Sequence, residues 1–168
     1  MSSLPVHLLH IYISPGHNFF GHHEKPPGSS PMHEVREVRC VAGKGLEGDR
    51  FLGYKRNYRG QITFFEDEVY VRVQDSLFVH DKEPSVFRRN VILRGIDLNT
   101  LIGKRFELQG IEFEGTEECS PCYWMDKAFA PGAKEALRNH GGLRARILTD
   151  GVLRRTEQNA PAELRLIS

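Results

Sequence analysis

The amino-acid sequence predicts a mainly β fold, a β-barrel with a few short helices. Two observations predict this class. Short runs of branched and aromatic residues recur along the chain, and segments with helical spacing are few and short. The chain has 168 residues, of which 39% are hydrophobic and 27% are charged. This length and composition suit one domain with a sizeable core, and no repeat or linker divides the sequence.

Eight runs have the apolar or alternating character of strands. Residues 6–13 are apolar and rich in branched side chains, as in a buried strand, whereas 35–41 alternates with a period of two. Residues 105–109 and 111–114 flank Gly110 and predict a hairpin. In chain order the predicted strands are 6–13, 35–41, 61–65, 90–93, 105–109, 111–114, 144–148 and 163–167.

Three segments have helical character. Residues 66–79 predict a helix, although β-branched side chains weaken its propensity. Residues 97–102 predict one helical turn and 132–139 a short helix, and glycines end both. Residues 14–31 are rich in Gly, Pro, His and Ser and are too long for a passive connection. We expect a functional loop or lid there.

Composition excludes several classes of partner. The net charge of +1 predicts no general attraction to nucleic acid or to a membrane surface. No apolar run is long enough to span a bilayer, and the first residues lack the basic region of a signal peptide. The 3 cysteines, an odd number, do not make a secreted disulfide framework. We therefore expect a cytoplasmic protein with reduced thiols and no nucleic-acid or membrane partner; its oligomeric state is not predicted.

Two cysteines stand close together in the motif Glu-Glu-Cys-Ser-Pro-Cys at 117–122. Such a pair serves a metal, a redox reaction or a carried sulfur atom. Structural zinc is disfavoured because no second half-site follows, and a thioredoxin-like pair because the surroundings are β-hairpin. One working thiolate remains, with the other thiol as a helper, a second ligand or a bystander. The alternative is that Cys119 and Cys122 are small buried side chains.

Residues 43–50 form a glycine-rich segment, Gly-Lys-Gly-Leu-Glu-Gly-Asp-Arg. Its backbone amides can cradle an anion, while Asp49 and Arg50 add an ion pair or a phosphate contact. The segment lacks the ending of a Walker loop, and an ordinary surface turn is the alternative.

Further arginines form local clusters that suit a phosphate. Arg88 and Arg89 precede Asn90, and Arg144 and Arg146 share one face of a predicted strand if their neighbours face the core. A barrel can bring such clusters to one rim. Solvated surface charge is the alternative.

Three histidines, His17, His22 and His23, lie in the 14–31 segment. They could bind a transition metal, although adjacent His22 and His23 reach one ion only from a loop. With Phe19 and Phe20 beside them, a gating lid is the alternative.

Seven short motifs follow one another along the chain. They are Gly48-Asp49-Arg50, Gln61-Ile62-Thr63, Arg89-Asn90-Val91, Gly95-Ile96-Asp97-Leu98, Ile102-Gly103, Pro121-Cys122 and Gly142-Leu143-Arg144-Ala145-Arg146-Ile147-Leu148. Each motif is weak alone, but in this order and spacing they resemble the MOSC domain, and the match extends from about Val35 to the C-terminus. This module ends the molybdenum cofactor sulfurases and also occurs as small stand-alone bacterial proteins.

The resemblance implies a single domain over 1–168 with a barrel similar to that of pyruvate kinase. Residues 1–34 would hold an N-terminal strand and the Gly/Pro/His-rich loop, and 35–168 would match the family. Cys122 would be the catalytic sulfur, as a persulfide carrier or a molybdenum ligand, whereas Cys119 lies outside the general pattern as an uncertain helper. The cofactor-binding residues would be Asp49, Arg50, Arg89, Asn90, Arg144 and Arg146.

Charge near Cys122 would set its thiolate fraction. A nearby arginine favours the thiolate, whereas Glu117 and Glu118 oppose it if they face Cys122. The sequence leaves this balance open.

The function that the resemblance implies is binding of the molybdenum cofactor, molybdopterin, in a basic, glycine-rich cavity. Arginines suit the phosphate, polar side chains the pterin, and a soft thiolate molybdenum or transferable sulfur. An enzyme of this kind would reduce N-hydroxylated compounds or transfer sulfur. The alternatives are a non-enzymatic carrier of cofactor or sulfur, and a CxxC redox switch. The sequence shows no aminotransferase-like domain, so a cysteine desulfurase partner would supply pyridoxal phosphate chemistry, and reduction would need an external electron donor.

Overall fold

The computed structural model describes residues 3–16 and 30–168. Its strands are β1 Ser3–Ile13, β2 His33–Val35, β3 Glu37–Val41, β4 Gly45–Leu46, β5 Ile62–Glu66, β6 Val91–Arg94, β7 Arg105–Leu108, β8 Ile111–Glu118, β9 Leu143–Ile147, β10 Gly151–Arg154 and β11 Ala162–Ile167. The α-helices are α1 Asp67–Leu77, α2 Trp124–Ala128 and α3 Ala133–Ala136, with 3-10 helices at Pro84–Phe87 and Leu98–Leu101.

Seven strands close a barrel in the order β7-β8-β9-β5-β6-β1-β11, and β11 returns to β7. Neighbouring strands are antiparallel except β5 and β6, which are parallel. A parallel pair needs a long crossover, and α1 with the following 3-10 helix provides it. The mainly β class predicted from the sequence is confirmed.

Alternating side chains fill the barrel interior. In β9, Leu143, Ala145 and Ile147 are buried, while Arg144 and Arg146 lie on the opposite face. This alternation confirms that the two arginines share a face. Three phenylalanines, Phe64, Phe106 and Phe113, pack ring against ring inside the barrel with centroids 5.4 to 5.9 Å apart.

The run 35–41 forms two strands rather than the single predicted one. β2 pairs with β1 of the barrel, whereas β3 pairs with β10 and β4 in a separate three-stranded sheet. Because the chain changes sheets at Arg36, the hydrogen-bonded run is interrupted there. The sequence also predicts neither β10 nor α2, each of only four or five residues.

The helices lie against the outside of the barrel over a second apolar cluster that includes Phe65, Val73, Phe87, Phe129 and Leu137. The helix predicted at 66–79 is α1, and the one at 132–139 is shortened to α3. None of the helices in the described ranges has the length and apolar character to cross a membrane. Most of the predicted loop at 14–31 lies outside the described residues.

Candidate functional site

A cavity forms where three loops meet: the loop after β4, the loop before β6 and the loop after β8. It is lined by Arg50, Phe51, Tyr58, Gly60, Thr63, Phe87, Arg88, Arg89, Cys119, Cys122, Trp124, Met125 and Arg144. Among these described lining residues are four arginines and two cysteines, and no carboxylate or histidine. The cavity is therefore basic and can offer sulfur to a ligand.

The cavity brings together five of the residues predicted from the sequence: Arg50, Arg89, Cys119, Cys122 and Arg144. Three others, Asp49, Asn90 and Arg146, do not line it. The roles predicted for all eight stay predictions, and their surroundings differ sharply.

Asp49 is buried behind the cavity and holds the loop that carries Arg50. Its Oδ1 accepts hydrogen bonds from the Ser14 amide at 3.0 Å and from Arg50 Nη1 at 3.0 Å. Its Oδ2 accepts one from the Phe51 amide at 3.2 Å. The predicted ion pair between Asp49 and Arg50 is therefore present, and its carboxylate is used within the protein.

Asn90 is also buried, and its amide joins three strands. Its Oδ1 accepts from the amide of Thr63 at 3.0 Å and the hydroxyl of Thr63 at 3.1 Å. Its Nδ2 donates to the carbonyl of Tyr12 at 3.1 Å. The structure thus places Asn90 between β1, β5 and β6, where it holds the parallel pair in register.

Two neighbouring arginines act as clamps on backbone carbonyls. Arg89 donates to the carbonyls of Gly141 at 2.8 Å, Phe87 at 2.9 Å and Cys119 at 3.0 Å. This fixes the cysteine loop against the segment before β9. Its nitrogens Nε, Nη1 and Nη2 each hold one of these carbonyls.

Arg88 has a similar role at the segments that contain Ser14, Gly16 and Ser30. It donates to the carbonyls of Gly16 at 2.7 Å and Ser30 at 2.9 Å, and to the Ser14 hydroxyl at 3.0 Å. Burial, with the nearby Arg50 charge, lowers the pKa of Arg88 to about 10. Burial likewise lowers the pKa of Arg50, with Asp49 opposing this and Arg89 adding to it.

Arg144 differs from Arg88 and Arg89, because no backbone carbonyl of the described residues accepts a hydrogen bond from its side chain. Burial lowers the pKa of Arg144, but the charge of Cys119, a hydrogen bond to Cys119, and the nearby Tyr58 and Glu117 raise it more. Its net pKa shift is therefore upward. Cys119 and Arg144 both line the cavity, and interaction with this thiol is the main reason that the pKa of Arg144 rises.

Tyr58 completes this part of the cavity. A side chain on Gly60 would meet the Tyr58 ring at 3.3 Å and the Arg144 stem at 3.4 Å, so Gly60 lets the two lie close together. Burial raises the pKa of Tyr58, although Arg144 opposes the shift, so the phenol keeps its proton at neutral pH. No hydrogen bond of its hydroxyl is seen within the described part of the chain.

The two cysteines of the motif differ in exposure. Cys119 is only 7% exposed, while Cys122 is exposed at the same cavity. Neither glutamate of the motif lines the cavity. Glu117 pairs with Arg59 at 3.2 Å, and Glu118 accepts from the Gly141 amide at 3.1 Å.

Other predicted groups lie away from the cavity or outside the described residues. Arg146 pairs with Glu114 at 2.9 Å on the outer face of β9. His17, His22 and His23 fall outside the described residues, so their metal or lid role stays a prediction. Within the described ranges, no group of three or more His, Cys, Asp and Glu is placed to hold a metal ion.

Sequence reasoning missed Tyr58, Gly60 and Trp124 as lining residues. The aromatic and basic run Tyr-Lys-Arg-Asn-Tyr-Arg-Gly at 54–60 could have indicated the first two. In the structure the rings of Tyr54 and Tyr58 have centroids 5.0 Å apart, beside Phe51. Trp124 stands two residues after the cysteine motif, and only the fold of the loop turns it toward the cavity.

Fold and site together define a small β-barrel protein with a basic pocket that contains two thiols. The chain belongs to the MOSC domain family, whose model matches residues 46–159. This family is generally linked to molybdenum cofactor binding. The comparison with curated proteins found no match.

Solved structures share the fold. The YuaD protein from Bacillus subtilis is 17% identical, with a TM-score of 0.72 over 98% of this chain and 97% of that one. YiiM from Geobacillus stearothermophilus is 17% identical with a TM-score of 0.66, over 98% of this chain and 76% of that one. YiiM from Escherichia coli is 20% identical with a TM-score of 0.61, over 100% of this chain and 71% of that one.

Proposed function

We propose that this pocket binds the molybdenum cofactor, and that a pocket thiol carries sulfur for it or ligates its metal. One observation carries the proposal: two cysteines and Arg144 converge in a cavity whose described lining holds no carboxylate. An anionic ligand with a soft metal would meet arginines and thiols there, without a carboxylate among the described lining residues.

The donor set of the cavity fits the chemical parts of molybdopterin. Arg144 would hold an anionic group, because its guanidinium donates to no backbone carbonyl of residues 3–16 and 30–168, whereas those of Arg88 and Arg89 do. Tyr58 offers a hydroxyl to a polar edge, and its ring, which stacks on that of Phe51, lines the cavity. The thiol of Cys122 suits molybdenum or sulfur.

The clamped arginines keep the pocket in one arrangement before any ligand arrives. Arg89 fixes the backbone of the cysteine loop, and Asp49 fixes Arg50 at the pocket wall. Trp124 and Met125 are buried beside the thiols and exclude water from one side of the cavity. When bound, the molybdenum centre would supply two-electron redox chemistry.

Exposed Cys122 would be the group that a partner protein reaches. A cysteine desulfurase would deliver sulfur to it, or an external electron donor would serve reduction of N-hydroxylated compounds. A carrier that stores the cofactor without catalysis would need the same pocket but neither the desulfurase nor the electron donor. A reversible Cys119–Cys122 disulfide is the remaining role for the pair.

Cofactor content tests the proposal. The protein, purified from a host that makes the cofactor, is assayed for molybdenum by elemental analysis and for pterin by fluorescence after oxidation. We expect both in the wild type and a loss of at least about tenfold in Arg144→Gln. Arg146→Gln, which alters an arginine outside the cavity, should keep wild-type content. Absence of molybdenum and pterin from wild-type protein would overturn the proposal.

Activity then separates enzyme from carrier. Cofactor-loaded protein is given an N-hydroxylated base and an artificial reductant. If Cys122→Ser abolishes turnover and Cys119→Ser retains it, Cys122 is the thiol that the reaction at the metal requires. Bound cofactor without turnover would identify a carrier.

A further inference from the structure

We propose that the two cysteines form a sulfur relay, in which exposed Cys122 accepts sulfur and buried Cys119 holds it beside Arg144. This inference deepens the sulfur-carrying form of the proposed function and rests on it. It gives Cys119 a role that the family resemblance does not supply.

The two thiols face one cavity from different depths. Cys119 and Cys122 are separated only by Ser120 and Pro121, and both line the cavity. Cys122 is exposed, so a donor protein can reach it. Cys119, at 7% exposure, is shielded from thiols and reductants in solution. A labile sulfur atom is therefore safer on Cys119 than on Cys122.

The backbone of Cys119 is held by hydrogen bonds at both its amide and its carbonyl. Its amide donates to the carbonyl of Gly142 at 2.8 Å, and its own carbonyl accepts from Arg89 Nη2 at 3.0 Å. Gly141 lies so close to the Cys119 carbonyl that a Cβ at this position would collide with it. The cost of ordering this thiol is thus met by folding rather than at the moment of transfer.

The charge around Cys119 suits an anionic sulfur. Arg50 and Arg144 line the same cavity as the Cys119 thiol. Interaction with Cys119 raises the pKa of Arg144 and opposes the lowering of the Arg50 pKa by burial. Guanidinium groups in a shielded site stabilise a thiolate, and by the same physics a persulfide anion.

The transfer step is balanced without an oxidant or reductant. A persulfide on Cys122 presents its outer sulfur to the Cys119 thiolate. The new bond forms between Cys119 Sγ and that outer sulfur, while the bond between it and Cys122 Sγ breaks. The bonding electrons leave with Cys122, which becomes a thiolate and takes a proton from water. Cys119 then carries the persulfide. The proton of the outer sulfur is lost to solvent, and the resulting persulfide anion pairs with Arg144.

Mass spectrometry can follow the sulfur directly. The protein is mixed with glutathione persulfide, quenched with iodoacetamide at increasing times and digested with trypsin. Both cysteines fall in the peptide 106–127, so fragment ions locate the extra sulfur. In the wild type we expect it first on Cys122 and then on Cys119. In Cys119→Ser it should stay on Cys122, and in Cys122→Ser it should reach Cys119 at least about tenfold more slowly.

Matched variants test the role of the guanidinium. Arg144→Gln should lower the share of sulfur on Cys119 at least about fivefold, whereas Arg146→Gln should leave it unchanged. Cys40 is an internal control, since burial raises its pKa to about 12 and it should take no sulfur. Thermal unfolding of each variant confirms that it is folded.

Three results would overturn the relay. Sulfur that remains on Cys122 in the wild type would overturn the relay alone, as would Cys119 loading at the wild-type rate in Cys122→Ser. Sulfur on neither cysteine would also remove the sulfur-carrying form of the proposed function. The molybdenum and pterin assays are independent of these outcomes, so failure of cofactor binding is recognised separately.

Discussion

Arg88 and Arg89 each donate to three protein acceptors, whereas Arg144, in the same cavity, interacts with a thiol. The first two belong to the framework of the cavity, and their guanidinium groups hold loops together. Arg144, with Tyr58 and the two thiols, forms the part that can meet a ligand. An arginine in a pocket therefore indicates ligand binding only when its hydrogen-bond donors are not already used by the protein.

The largest expected difference is in stability between Arg89→Met and Arg144→Met. Loss of Arg89 leaves the carbonyls of Gly141, Phe87 and Cys119 without a donor in a buried place, which should cost about 3–5 kcal/mol of the free energy of unfolding. Arg144→Met should cost no more than about 1 kcal/mol. Urea denaturation of both variants measures this, and equal losses would show that Arg144 is also part of the framework.

A second contrast uses two glycines. Gly141→Ala brings a methyl group against the Cys119 carbonyl and Pro121, so backbone must shift at a cost of about 1–3 kcal/mol. Gly60→Ala meets only the side chains of Tyr58 and Arg144, at 3.3 and 3.4 Å, and should change stability by less than about 1 kcal/mol. Thermal unfolding measures the change in stability of each variant. Cofactor content, which we expect Gly60→Ala to lower, is measured separately.

The described cavity lining has no carboxylate to titrate. The pH dependence of stability is therefore tested at Glu66, outside the cavity. Burial raises the pKa of Glu66 to about 7, against the opposing hydrogen bond from the Leu98 amide. Its folded state therefore binds a proton more tightly than its unfolded state, and stability is lost as pH rises from 4.5 to 7. Glu66→Gln should be more stable than wild type by about 1 kcal/mol at pH 8, after discounting for partial exposure, and equal to it near pH 4.

Chemical denaturation at several pH values measures this difference. Glu157→Gln, which alters an exposed carboxylate, is the control. An unchanged pH dependence in Glu66→Gln would assign the effect to another group.

The smallest expected change in stability belongs to Tyr58→Phe. Because the hydroxyl makes no hydrogen bond to other described residues, its removal should alter the free energy of unfolding by less than about 0.5 kcal/mol. Cofactor content should fall severalfold, since the hydroxyl is free to bond a ligand. A clear loss of stability with unchanged cofactor content would move Tyr58 from the ligand-binding part to the framework.

The sequence predicts the barrel well because alternation and branched residues are local signals, as in β9 and the hairpin around Gly110. It does not predict the change of sheet at Arg36 or the short β10, because their pairing depends on distant partners. For the site, motif order brought Arg89, Cys122 and Arg144 into consideration. Motif order could not distinguish an arginine that holds the framework from one that can meet a ligand, since Arg89 bonds to carbonyls that are distant in sequence.

The pairing of β1 with β11 sets an order on how this protein folds. Ser3 lies opposite Arg165, so the first strand cannot complete its pairing until the last strand has been synthesised. Contacts of such long sequence separation carry a large loop-closure entropy and slow folding. We expect ring closure to be a late event on the ribosome, with the exposed edge of β1 needing protection until β11 emerges.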